Sequence, residues 1–356
     1  MPSPVSRPAW AARLVAPLAR LLVAAGLLPA ALRLADQLTL VRGPRGRLHF
    51  PFVRPRGPRA YQILLFHRVN DDQEPYFTGV PVARFRAQAE VLARHWTVLP
   101  LRELVALAAR NALPGRAAAI TFDDGYRDNY ECAFPILSEF GLPATIFLAT
   151  GAIDTGRPLW HDRVFDAFRR TRAPRLRVGA LDLPLDTPER RLRALHSLLQ
   201  DLRARTPEDR EAAVRAAIAG LELEENPGLG DRMLTWDQVR EMHAAGIDFG
   251  AHSVSHAILT RMPLEAAIRE ILDSRREIQQ RVGAPADLFA YPNGSRSDFN
   301  EPLKEGLRDA GFQAAVTTIW GSNPASADPF ELKRLGAWDV DPGMAALRLA
   351  WYRISG

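Results

Sequence analysis

Short apolar runs alternate along the chain with stretches whose apolar positions recur every three to four residues. Tyr61–Phe66, Ala117–Phe122 and Ala144–Leu148 are five or six residues long and mostly apolar, which predicts strands buried on both faces. The helical period fits Ala83–His95, Leu101–Ala109 and Tyr130–Phe140 between them. The same rhythm resumes after residue 234. Thr235-Trp236-Asp237-Gln238 has the form of a capping box, and Gly246 is placed to end that helix ahead of a strand at Ile247–Ala251. A helix over Pro263–Val282, a strand at Leu288–Tyr291, a helix near Pro302–Ala310 and a strand at Gln313–Thr318 follow. Strands regularly separated by helices predict an α/β fold with a parallel sheet or barrel.

Two regions break the rhythm. From residue 154 to 231 the chain turns rich in Arg and Glu, with helical patterns at Pro188–Arg205 and Pro207–Leu221, and this span reads as a helical insertion within a domain of residues 61–345. Gly43–Pro58 is dense in Gly, Pro and Arg without a sustained period, so residues 43–60 read as a linker.

Charge divides the 356-residue chain more sharply than its net +5 conveys. Residues 1–60 hold ten Arg and a single acid, Asp36, so that segment carries +9 and the remainder −4. A domain of that sign is a poor match to nucleic acid, and no nucleic-acid partner is expected. In residues 1–42, Arg13 and Arg20 share one helical face, while Trp10, Leu14, Leu18, Leu21 and Leu28 approximate the opposite one. The longest uncharged stretch there, Leu21–Leu32, is twelve residues and contains Gly26 and Pro29, too short for a hydrocarbon core of about 30 Å. The segment therefore reads as a basic amphipathic helix lying on an anionic membrane surface. Packing of that helix on the domain is the competing reading. A secretory signal is disfavoured, because no small-x-small cleavage site follows Leu32 and the arginines continue. The expected location is cytoplasmic, peripheral on the inner membrane, rather than secreted or periplasmic. The single Cys132 excludes an internal disulfide, in keeping with a reducing compartment.

Candidate chemistry sits at two strand ends. Ile120-Thr121-Phe122-Asp123-Asp124-Gly125 places adjacent carboxylates after an apolar strand, and Gly250-Ala251-His252-Ser253-Val254-Ser255-His256 places two imidazoles at i, i+4 after another. Alone, Asp-Asp-Gly is a common turn, and the histidine pair lacks the Glu of the zinc-protease signature. Together they offer two histidines and a carboxylate, the ligand number of a catalytic zinc with one position open for water, and a spare carboxylate to act as base.

With Phe289-Ala290-Tyr291-Pro292-Asn293-Gly294, these motifs resemble the polysaccharide deacetylases with the NodB homology domain, carbohydrate esterase family four. The resemblance spans roughly residues 61–340 less the insertion and implies a distorted, incomplete (β/α) barrel. It makes Asp123 the general base, Asp124, His252 and His256 the ligands of Zn2+, with Co2+ or Ni2+ as other acceptable ions, and the Asn293 amide an oxyanion donor. It implies an N-acetylated glycan as partner, and removal of N-acetyl groups from amino sugars of a bacterial surface polysaccharide or its lipid-linked precursor. No histidine follows His256, so the usual C-terminal acid is missing. Leu64-Leu65-Phe66-His67-Arg68-Val69 is similar to the rearranged motif of the poly-N-acetylglucosamine deacetylase branch, which makes His67 the general acid. The arginine of the third motif is replaced by Ala290, and Arg334 in Leu332-Lys333-Arg334-Leu335 is expected to orient Asp123 instead. A surface-exposed Arg334 is the plain alternative. The fourth motif has only a loose echo in Trp338-Asp339. In Trp160-His161-Asp162, Trp160 is either a sugar platform or core, and His161 a second candidate acid. A deformylase or an O-deacetylase would use the same residues, and an inactive glycan-binding relative would have lost one of them.

Overall fold

The computed structural model describes residues 60–336 except residue 73, together with residues 27, 30, 41–42, 48–49 and 349. Seven parallel strands form its centre: β1 (Gln62–Phe66), β2 (Ala117–Phe122), β3 (Thr145–Leu148), β4 (Asp248–Ala251), β5 (Leu288–Ala290), β6 (Ala314–Trp320) and β7 (Leu332–Gly336). Their order is β1-β7-β6-β5-β4-β3-β2, and β2 pairs back onto β1 from Gln62↔Ala118 to Phe66↔Phe122, so the sheet closes with one strand fewer than an eight-stranded (β/α) barrel. The same edge of β2 is shared: Thr97–Val98 pairs with its first residues and β3 with its last.

Every residue of β1 and β2 is buried, including Ala117, Ala118 and Ala119, whose weak strand propensity is outweighed by pairing on both sides. The two-residue alternation sorts these strands into separate cores. Ile63, Ala117, Ala119, Phe147, Leu288, Ala290, Val316 and Leu332 fill the barrel lumen with Leu101 and Leu104. Leu64, Phe66, Ala118, Ile120 and Phe122 instead pack outward with Phe85 and Leu92. Helices α1 (Val82–His95), α2 (Leu101–Ala109), α3 (Phe134–Glu139), α7 (Trp236–Ala244), α8 (Leu264–Val282) and α9 (Glu301–Asp309) occupy the stretches between strands.

Several expectations need correction. The helix expected at Tyr130–Phe140 begins as a wide π-type turn at Asn129–Ala133 before α3, because Pro135 has no N–H to give Glu131 in an α-helical bond. Strand β7 was not anticipated: Leu-Lys-Arg-Leu-Gly carries two cations and reads as surface, yet Arg334 is buried in the closed barrel. The insertion begins with α4 (Trp160–Arg170) and an unanticipated antiparallel hairpin, Arg175–Val178 with Leu181–Pro184, ahead of α5 (Pro188–Ala204) and α6 (Pro207–Gly220). Thr187 and Thr206 cap α5 and α6 by accepting the N–H groups of Arg190 and Asp209. The capping box Thr235–Gln238 is present in both directions. The amphipathic reading of residues 1–42 falls almost wholly outside the described residues, as does Trp338-Asp339. Within the described residues, no helix is long and apolar enough to cross a membrane.

Candidate metal centre

The site lies where the barrel strands end at their C-termini. Asp123 continues the inward alternation of β2 and its N–H bonds the Phe66 carbonyl at 3.0 Å. Asp124 (φ 77°) and Gly125 (φ 85°) then both adopt left-handed backbone, which turns the second carboxylate away from the first. A β-carbon at Gly125 would stand 2.8 Å from Leu148 Cδ2 in left-handed backbone, so position and conformation alike favour glycine.

The histidine segment is held as firmly. The His252 N–H bonds Leu148 O at 3.0 Å, and Gly151 N–H bonds Val254 O at 2.8 Å. Ser253 (φ 62°) and His256 (φ 53°) are both left-handed, a costly conformation that persists where surrounding contacts over-determine it. Glu270 of α8 supplies those contacts, accepting the N–H groups of Val254 and Ser255 at 2.9 Å each and the Ser255 hydroxyl at 3.0 Å.

These turns bring Asp124, His252 and His256 together with one ligand atom each within 4.8 Å of the others, all buried. Asp124 Oδ1 is 3.4 Å from His252 Nε2 and 3.2 Å from His256 Nε2, yet it has no hydrogen-bond partner. His252 Nδ1 stands 2.7 Å from Ala290 O, so it carries the proton and leaves the Nε2 lone pair facing the carboxylate. A buried oxygen and two ring nitrogens that converge in this way could hold a cation, and the donor set fits a divalent ion of the zinc type. His256 Nδ1 is also buried without a partner, a donor that an ion bound at Nε2 would not satisfy. Burial opposes ionisation of Asp124, but the neighbouring His256 and His252 imidazoles hold its carboxyl well below the usual range.

Asp123 meets a different partner. Arg334 reaches across the lumen from β7, with Nη1 on Oδ1 at 2.7 Å and Nη2 on Oδ2 at 2.6 Å. Its Nη1 also reaches Thr121 Oγ1 at 3.2 Å, and its Nε donates to Thr317 O at 2.7 Å. Arg334 and Asp123 are each 1% exposed, so this is a buried, bidentate pair and not a surface arginine. Burial, the largest single effect, raises the Asp123 carboxyl; the Arg334 charge, together with His252 and the Arg334 hydrogen bonds, holds the group below its ordinary value.

His67 follows β1, its ring edge-on to Phe77 at 5.6 Å and its carbonyl accepting from Asn129 Nδ2 at 2.8 Å. Burial lowers its pKa, against the opposing pull of Asp124 and Asp123. Asp128 fastens this turn, accepting from Arg68 Nε at 2.9 Å and Val69 N–H at 3.2 Å. Asn293 (φ 62°) lies past the end of β5; its side chain donates to Asp298, its carbonyl accepts from Thr318 Oγ1 at 2.8 Å, and its own N–H has no acceptor among the described residues.

Tyr126, Asp128, Asp162 and Glu270 had no role assigned from sequence. Their only signal there was proximity to a motif, and for Glu270 not even that. Tyr126 Oη stands 3.0 Å from His161 Nε2 and 3.1 Å from both oxygens of Asp162. The His161 ring is 5.0 Å from that of His256, and burial followed by repulsion from His256 keeps it well below the ordinary imidazole value. Burial and then the Asp124 charge push Asp162 up to about 7. Trp160 is 8% exposed with the Arg210 guanidinium 4.9 Å over its ring, which is a packed position and not an open sugar platform.

The family sequence pattern for polysaccharide deacetylase matches residues 110–315, more than half the chain, including Asp123, Asp124, His252, His256 and Asn293. The chain belongs to the polysaccharide deacetylase family. His67 and Arg334 lie outside the matched span of this deacetylase. It is 21% identical to YxkH of Bacillus subtilis strain 168 over 303 residues, 85% of this chain and 78% of that protein. A second relative is the poly-beta-1,6-N-acetyl-D-glucosamine N-deacetylase of Staphylococcus epidermidis, 31% identical over 107 residues, 30% of this chain and 36% of the relative. Among solved structures, the Streptococcus pyogenes deacetylase PplD, in complex with acetate, shares the fold with a TM-score of 0.57 at 19% identity, covering 83% of this chain and 99% of PplD.

Proposed function

We propose that this deacetylase is a metal-dependent hydrolase that removes N-acetyl groups from amino sugars of a bacterial surface polysaccharide or of its lipid-linked precursor. The observation carrying this reading is the convergence of Asp124, His252 and His256 beside an Asp123 that is itself paired with a buried arginine. The three ligands would hold a Zn2+, Co2+ or Ni2+ ion, which when bound polarises a carbonyl oxygen and lowers the pKa of water. Asp123, kept ionised by Arg334, takes the proton of the attacking water. The Asn293 N–H is available to the oxygen on which negative charge develops. His67 delivers a proton to the departing amine, and burial, by lowering its pKa, makes its protonated form the stronger acid. The basic residues 1–42 would keep the enzyme against anionic lipid on the cytoplasmic side, near a membrane-borne substrate.

The test loads the full chain with zinc and compares release of acetate and formate from matched amide and ester oligosaccharides. Acetate from the amide is expected as the main product, with Asp123→Asn slower by about 10²–10⁴-fold. Faster cleavage of esters, or formate as the preferred product, would replace this reading with an O-deacetylase or a deformylase.

A further inference from the structure

Past the end of β5, with Asn293 in its wall, lies a cavity of about 420 Å³, within the roughly 300–1,000 Å³ common to small-molecule sites. Its wall includes Gln200 and Arg203 from α5, Arg261 from the turn after the histidine segment, and Asn293, Ser297 and Asp298 beyond β5. The insertion therefore builds one side and the catalytic loops the other, with Asn293 common to cavity and reaction centre.

The charges in this wall are unevenly satisfied. Asp298 is spoken for by its own loop: Oδ2 accepts from Asn293 Nδ2, Ser295 N–H and Ser295 Oγ, and Oδ1 from Ser297 Oγ at 3.2 Å. Arg203 and Arg261 are both half-buried, and among the described residues neither joins an ion pair. Arg261 Nε donates at 3.4 Å to the Arg203 carbonyl, whereas Arg203 Nε is buried with no partner. A basic residue in the last turn of a helix ordinarily serves the carbonyls there. Arg203 does not: its Nε meets none of them, while nearby Arg205 is paired with Asp201 at 2.7 Å. Asp298 is also the one carboxylate whose charge reaches Arg203, so two guanidinium groups without an ion pair share a single carboxylate and leave the wall one positive charge in excess, in a concave, partly desolvated place. Guanidinium forks match carboxylate and phosphate oxygens.

We propose that this cavity is a subsite for an anionic sugar residue, a hexuronate or a phosphorylated sugar, next to the N-acetylated residue whose amide is cleaved. Arg203 and Arg261 take the carboxylate or phosphate, and Gln200 and Ser297 face the ring hydroxyls. The assignment rests on the deacetylase reading for its orientation, but the anion site stands on the arginines alone. It gives this enzyme a preference for a charged glycan over a neutral poly-N-acetylglucosamine.

The experiment uses the zinc-loaded full chain and three N-acetylated oligosaccharides of matched linkage: neutral, uronate-bearing and phosphate-bearing. The wild-type kcat/KM should favour one anionic substrate by about tenfold or more, chiefly through KM, and the favoured one identifies the anion. In the Arg203→Ala, Arg261→Ala variant the ratio of anionic to neutral kcat/KM should fall towards one, while Arg203→Lys with Arg261→Lys should retain part of it. Calorimetric binding of a uronate disaccharide and a sugar phosphate gives a readout independent of turnover, expected to weaken at least tenfold in the alanine variant. Equal turnover of all three substrates by wild type, or a preference and binding unchanged in the alanine variant, would overturn the subsite. No acetate from any substrate, with anion binding intact and lost in the variant, would discard the deacetylase reading and leave the subsite standing.

Discussion

A guanidinium buried in a barrel lumen is tolerable only where an anion meets it, and for Arg334 that anion is Asp123, held by two hydrogen bonds. Removing one member leaves the other buried and unpaired, a loss of about 3–5 kcal/mol. The pair also sets a pH limit. Asp123 is held below its ordinary value, so its stabilising contribution is present above the unfolded value of about 4 and is lost as pH falls through the folded one. Arg334→Lys, which keeps a charge but not the fork, is expected to lower kcat about 10–100-fold. It should also move the acidic limb of the pH–rate profile upward, because Asp123 then ionises less readily; an unmoved limb would show that the arginine does not orient the base. Asp162 runs the other way. Its folded value is raised to about 7 by burial and by Asp124, so the folded chain binds this proton more tightly than the unfolded one. Stability should therefore decline as pH rises from about 4 to 7, then level off. In urea titrations at several pH values and constant free zinc, Asp162→Asn should flatten that decline, and parallel curves for the two proteins would refute the assignment.

At the scale of elements, the histidine segment is a short loop whose shape is imposed from outside. Glu270 on α8 holds three donors of Val254 and Ser255, and Gly151 lets the turn after β3 approach so closely that a β-carbon would lie 2.7 Å from Val254 O. Loss of such outer support commonly costs metal affinity about 10–100-fold. Glu270→Ala should weaken zinc binding within that range in a competition with a chromophoric chelator, with Glu270→Gln intermediate because it keeps one acceptor oxygen. Affinity unchanged in both would mean the loop holds its own conformation. This element also shows where sequence reading stops. The strand and the two histidines were legible from an apolar run and an i, i+4 spacing, but Glu270 lies in a helix whose exposed face is full of charge, and nothing along the chain distinguishes it. Strand β7 was missed for a related reason: alternation of Lys333 outward and Arg334 inward looks like surface until the lumen supplies Asp123.

At the scale of the whole molecule a ligand would be coupled to the fold, because the three candidate ligands follow β2 and β4, strands far apart in the chain that pair on either side of β3. A cation binding the folded chain alone adds about 2.7 kcal/mol at one hundred times its Kd. Zinc should therefore raise the melting temperature of chelator-stripped protein by a few degrees, and the rise should vanish in Asp124→Ala. An equal rise in that variant would place the ion elsewhere. Local order determined much of this protein without help. Apolar runs and helical periods specify most barrel strands and helices, since burial of a regular element demands its own period, and Thr235 and Gln238 announce their helix start through a bond only three residues long. The motifs likewise carry their reacting groups in the sequence itself. Only the tertiary structure decided which charges meet: Arg334 with Asp123 across the lumen, His161 and Asp162 with Tyr126, and Glu270 with the histidine loop. These contacts join residues far apart along the chain, and their energies depend on shared burial and on distances of about 3 Å that only the packing of strands, loops and helices together sets.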